Sequence, residues 1–140
     1  MSDLETAKNN LDGHTLTLCK GGRLITSDKR GVTPMAELLQ KGFSLSGFAA
    51  ADKVVGKAAA MLFIKAKIRE IYAEVISKGA INLLKSHNIA VTFDVLTDRI
   101  LNRNKTGICP METLVSNTDD IEEGYNLIIK KLDELNSLKQ

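Results

Sequence analysis

Between Arg69 and Val95 the chain carries two β-type runs separated by one helical stretch, with very short links between them. Arg69–Ile76 is rich in Ile, Tyr and Val, Ser77–Asn88 reads as a helix, and Ala90–Val95 reads as a second strand. A strand, a helix and a strand in that order imply a parallel pair joined by a right-handed crossover. No other stretch restricts the fold as strongly, because a parallel pair commits the chain to a sheet with helices on its faces.

The remaining segments are read around that unit. Residues 2–12 suggest a short helix capped by Ser2 and stopped by Gly13. His14–Lys20 alternates Thr15, Thr17 and Cys19 against Leu16 and Leu18, and after Gly21-Gly22 come Leu24 and Ile25, which predicts a tight hairpin. Thr33-Pro34 opens a helix that Gly42 ends. Ser44–Ile64, crowded with Gly and Ala, is expected to form a central buried helix whose only charges are Asp52, Lys53 and Lys57. Asp98–Lys105 is a polar loop. Asp119–Leu138 is a long helix on which Ile121, Tyr125, Ile128, Leu132 and Leu135 make one apolar stripe, core or partner face. The expected architecture is an α/β, three-layer-type mixed sheet with an N-terminal β-hairpin and a parallel β-α-β unit. It is one domain over residues 1–140, with helix 119–138 packed on it.

Composition narrows the function. At 140 residues the chain can bury close to ~68% of its unfolded surface, so a core forms without staples. A net charge of +2 gives no footprint for nucleic acid or an anionic membrane, and neither is an expected partner. Val54–Ile64 is too short to span a bilayer, and the polar start Met1-Ser2-Asp3-Leu4-Glu5 does not read as a signal peptide. Cys19 and Cys109 make no disulfide framework, so a cytoplasmic location is expected.

Thr106-Gly107-Ile108-Cys109-Pro110-Met111-Glu112 reads as a loop entering a helix, with Cys109 at the N-cap, Pro110 first and Glu112 third. There a carboxylate can complete a capping box, and a thiol meets unpaired amides that lower its pKa. Together with Ala51–Ala60 and Tyr72–Ser77, this motif resembles the cytidine deaminase-like superfamily. It is closer still to an uncharacterised prokaryotic branch known as a domain of unknown function, and the likeness spans roughly Leu11 to Val115. Zinc-dependent members carry His-x-Glu at one helix start and Pro-Cys-x-x-Cys at the next. Here the first motif is missing, His14 and His87 lie elsewhere, and Glu112 stands where the second cysteine would be. One thiolate and one carboxylate fall short of three protein ligands, so no metal, no other cofactor and no classical zinc deamination are expected. The resemblance implies two helix starts facing each other across a pocket, bringing Asp52, Lys53, Gly56 and Lys57 near Cys109 and Glu112. It also makes a homodimer an expectation.

Each residue has a functional and a plain reading. Cys109 is a nucleophile or ligand anchor, or an inert thiol before a proline. Lys53 and Lys57, one helical turn apart, grip an anion or simply snorkel, and Lys57 could also be an amine nucleophile. Gly56-Lys57 is not a phosphate loop, because Ala51 and Ala58 occupy the required Gly and Ser/Thr places. Asp52 is a base or orienting acid, or a helix-start acid. Glu112 binds ligand or only completes its capping box, and Asn102 and Arg103 form a binding loop or an exposed one. Glu70 and Glu74 read as a solvated or edge face. Three functions follow: a small-molecule binder for an anionic or nucleotide-like ligand in a zinc-free pocket, a non-zinc enzyme using Cys109 or Lys57 with Asp52, or an interaction module with a degenerate site.

Overall fold

The structure, a computed structural model, describes residues 1–102 and 104–138. The hairpin comes first in the sheet. Strands β1 (Leu16–Lys20) and β2 (Arg23–Ser27) pair in register across Gly21-Gly22. Both turn residues have positive φ, 56° and 84°, which is the two-residue turn whose twist matches that of the strands and which only glycine adopts freely. Three parallel strands follow: β3 (Ala49–Val55), β4 (Glu70–Ser77) and β5 (Ala90–Thr97). The sheet order is β2-β1-β3-β4-β5, with β1 antiparallel to both neighbours.

The parallel strands step across the sheet in one direction, so crossovers of one hand put both connecting helices on the same face. Those helices are α3 (Lys57–Lys65) and α4 (Lys78–Ser86), and they pack on each other. Helix α2 (Thr33–Gln40) and helix α6 (Ile121–Leu138) join that layer. The opposite face is covered by α1 (Asp3–Asn9), whose Ala7 sits with Leu11, Cys19, Ala51 and Tyr72 in a second, smaller core. Ser2 caps α1 by accepting from the Glu5 amide at 3.1 Å, and Ser77 caps α4 through the Ala80 amide at 3.2 Å. Of the α6 stripe, Ile121, Tyr125, Ile128 and Leu132 pack on the main core, while Leu135 stays 39% exposed. Among the described residues no helix is long and apolar enough to cross a membrane.

The expected single helix over Ser44–Ile64 does not form. Ala49–Val55 is instead the middle strand of the sheet, and only after Gly56 does helix α3 begin. Ala49, Ala50 and Ala51 are fully buried, with helices above and below. Alanine prefers helix locally, but ladder bonds on both sides and two covered faces override that preference. Glu70 and Glu74 accordingly lie on the interior strand β4 rather than at an edge, and the Glu74 side chain is partly solvated at 42% exposure.

Helix α6 crosses α3 at Gly124. A Cβ there would stand 2.3 Å from the Sδ of Met61, a fully buried side chain. Gly124→Ala is therefore expected to cost about 1–3 kcal/mol by overpacking. In a Met61→Ala background the same change should become neutral or stabilising, since alanine is the better helix former by about 1 kcal/mol. Urea denaturation of the four proteins measures both; a Gly124→Ala cost unchanged by Met61→Ala would show that the contact is not the cause.

Candidate functional site

The C-terminal end of β3 opens into a cavity of about 670 Å³. Its floor is Asp52, Val54 and Gly56, with Leu16 of β1 alongside. One wall is the start of α2, Val32 and Pro34; another is Leu132 and Leu135 of α6. The roof is the segment Ile100–Asn102, tied by a bridge from Leu101 to Ile108, and the short helix α5 (Pro110–Leu114) with Cys109 before it.

Glu112 shapes this end of the molecule. The expected capping box is not formed, because the Cys109 amide donates to the Ile100 carbonyl at 3.0 Å. The Glu112 carboxylate instead accepts from the amides of Lys57 at 2.7 Å and Ala58 at 2.9 Å. It thus caps the other helix, α3, whose own N-cap residue is Gly56 and has no side chain to offer. Gly56 has φ −101° and ψ −175°, extended backbone open to any residue. Its glycine is required sterically: a Cβ would lie 2.3 Å from Glu112 Oε1. The amides expected to grip an anion are therefore already occupied by the protein's own carboxylate.

Lys53 and Lys57 do not share a helix face. Lys53 belongs to β3 and its side chain alternates to the face opposite Asp52. Its amine lies 3.1 Å from Glu74. Lys57 opens α3, and its amine is held 2.8 Å from Asp119 just before α6. Neither ammonium is committed to the cavity. Asn102 lines it, but its side chain is bound within its own loop, donating to Thr106 Oγ1 at 3.1 Å and accepting the Thr106 amide at 3.0 Å. Arg103 lies outside the described residues.

Asp52 is not a helix-start acid, since it sits within β3 between Leu16 and Ala73. It is only 8% exposed, and the Val54 amide donates to it over a long 3.4 Å. Burial pushes its pKa up to about 7 against the weaker pull of the Val54 and Lys53 amides. Cys109 is half-buried on the cavity wall, and its thiol makes no capping hydrogen bond. Cys19 is buried on the far face, where burial first and then Asp3 push its thiol up.

Asp52, Gly56, Cys109 and Glu112 are thus brought together, while Lys53 and Lys57 are drawn off by acids. The apolar walls from α2 and α6 were missed by sequence reasoning. They carried no signal beyond ordinary core hydrophobicity, because their convergence depends on how distant elements pack. The donor set does not fit a catalytic zinc: both Glu112 oxygens are engaged by amides, and His14 is bonded to Asp28 at 2.6 Å in the β1–β2 region. Among the described residues no three His, Cys, Asp or Glu side chains cluster to hold a metal.

A family profile described as TM1506, domain of unknown function (DUF1893), matches residues 7–132. The chain belongs to the DUF1893 family. Among solved structures it is similar to a DUF1893 family protein, TM1506 from Thermotoga maritima. The two share 30% identity over 94% of this chain and 91% of that one, with a TM-score of 0.85. No curated protein matches the sequence. The DUF1893 match takes in the cavity-lining residues from Thr15 to Leu132 and ends before Leu135.

Proposed function

We propose that this DUF1893 domain binds a small molecule in the cavity at the C-terminal end of β3, on a cytidine deaminase-like scaffold that works without zinc. The observation that carries the reading is an almost fully buried carboxyl, Asp52, on the floor of a cavity of about 670 Å³. That volume lies in the range of small-molecule sites, which are mostly apolar with a few polar groups that fix orientation. Burial of a carboxyl without a strong partner lowers stability, and such groups concentrate where a protein meets a ligand. The placement also favours binding, since ligands of open parallel sheets sit beyond the carboxyl ends of the strands.

Nuclear magnetic resonance screening of a chemically mixed fragment library on the full chain tests this. Fragments that bind are expected to perturb the amides of Val54, Gly56, Cys109 and Leu132 together. Hits confined to other surfaces, or none at all, would remove the reading.

A further inference from the structure

Among the described residues, four charged ones border the cavity: Arg30, Asp52, Lys53 and Glu112. Two of them are paired within the protein and a third is exposed. Glu112 gives both oxygens to α3, the Lys53 amine is on Glu74, and Arg30 is exposed. Asp52 remains. Its register neighbours, Leu16 and Ala73, offer it no side-chain donor, and among the described residues no cation forms an ion pair with it. An anionic ligand would meet this acid head-on and find the α3 amides already taken. A ligand that brings its own donors would instead pair with the Asp52 carboxyl, whose bond from the Val54 amide is long at 3.4 Å.

We propose that the pocket recognises molecules with an N–C–N donor edge (an amidine, a guanidine or a 2-aminoazine) that docks on Asp52 while its ring lies against Leu16, Val32, Pro34 and Leu132. The proposal rests on the binding reading above and names its ligand class. Two parallel hydrogen bonds fit the two oxygens of one carboxyl, the geometry that makes forked nitrogen donors strong carboxylate partners. With a pKa pushed up to about 7, Asp52 can meet such an edge in either form. Ionised, it accepts two N–H bonds; neutral, it gives its O–H to a ring nitrogen and accepts one N–H. The side chains of Glu112 and Lys53 are engaged elsewhere and do not compete for the Asp52 oxygens.

The test titrates the isotope-labelled full chain with benzamidine, benzoate and benzyl alcohol to millimolar concentration, and repeats benzamidine on Asp52→Asn. Benzamidine is expected to shift the Val54 and Gly56 amides saturably and at least about tenfold more tightly than the other two. Asp52→Asn should weaken it by about tenfold or more. If benzoate or benzyl alcohol binds at those amides as tightly as benzamidine, the donor-edge inference falls and pocket binding stands. If none of the three shifts those amides, the inference falls, and the fragment screen separately decides the binding reading. The three-probe comparison on the unmodified chain decides the matter even if the variant does not fold.

Discussion

Asp52→Asn is expected to stabilise the protein above neutral pH and to flatten its stability between about pH 4 and 7. The carboxyl is raised from an ordinary 3.8 to about 7 by burial. Within that window the folded state holds a proton that the unfolded chain has released. Stability therefore falls as pH rises, and below pH 4 the two states bind alike. The full drop is about 4 kcal/mol for a shift of this size, and water in the open cavity reduces it. Asparagine has no charge to bury, so the variant should lack this slope and exceed the parent by about 2 kcal/mol at pH 8. Urea denaturation of both proteins at pH 5 and pH 8 measures it, and the difference between the two isolates Asp52 from every other titrating group. Equal pH slopes would mean that Asp52 is ionised at no cost. A residue whose removal stabilises the fold is one kept for something other than folding, which is why the cavity reading gains from this result.

Gly56→Ala is expected to destabilise by about 2–3 kcal/mol, close to 10 °C in Tm for a chain of this length. The backbone there suits any residue, so the cost comes from Glu112. The new methyl would occupy the seat of its carboxylate, 2.3 Å from Oε1. Expelling it breaks two charge-assisted bonds to the Lys57 and Ala58 amides and leaves the start of α3 uncapped. Glu112→Ala should lose a similar amount. The double variant should then be little worse than either single one, because both remove the same interaction. Thermal unfolding of the four proteins closes the cycle; additive losses would show that Gly56 matters for some reason other than Glu112. The same variants loosen the roof carrying Cys109, so benzamidine binding should weaken with them.

Asp52 and Glu112 both take partners and surroundings that their local sequence does not dictate. Local signals were sufficient where neighbours in sequence are also neighbours in space. Gly21-Gly22 announces its hairpin, Thr33-Pro34 its helix, Cys109-Pro110 the start of α5, and residues 69–95 their β-α-β unit, each matched by the structure within a few residues. The spacing of Ile121, Tyr125, Ile128 and Leu132 placed the inner face of α6 in the same way. These follow from backbone sterics and from helical or strand periodicity, which operate over a few residues.

Packing between distant segments decided the rest. Ala49–Val55 has the composition of a helix and became the central strand, because β1 and β4 supply its hydrogen bonds and helices cover both faces. That one change moved Asp52 from a helix start to a cavity floor and turned Lys53 away toward Glu74. Glu112 is spaced to cap its own helix yet caps α3, reaching amides 55 and 54 positions away in the chain. Lys57 is neutralised by Asp119 from across the fold. The composition and local order of this chain determine that it is an α/β domain with a helix opening at Cys109. Which of its charges are satisfied and which one, Asp52, is left facing a cavity is set by Coulomb and hydrogen-bond partners that only the tertiary structure brings within reach.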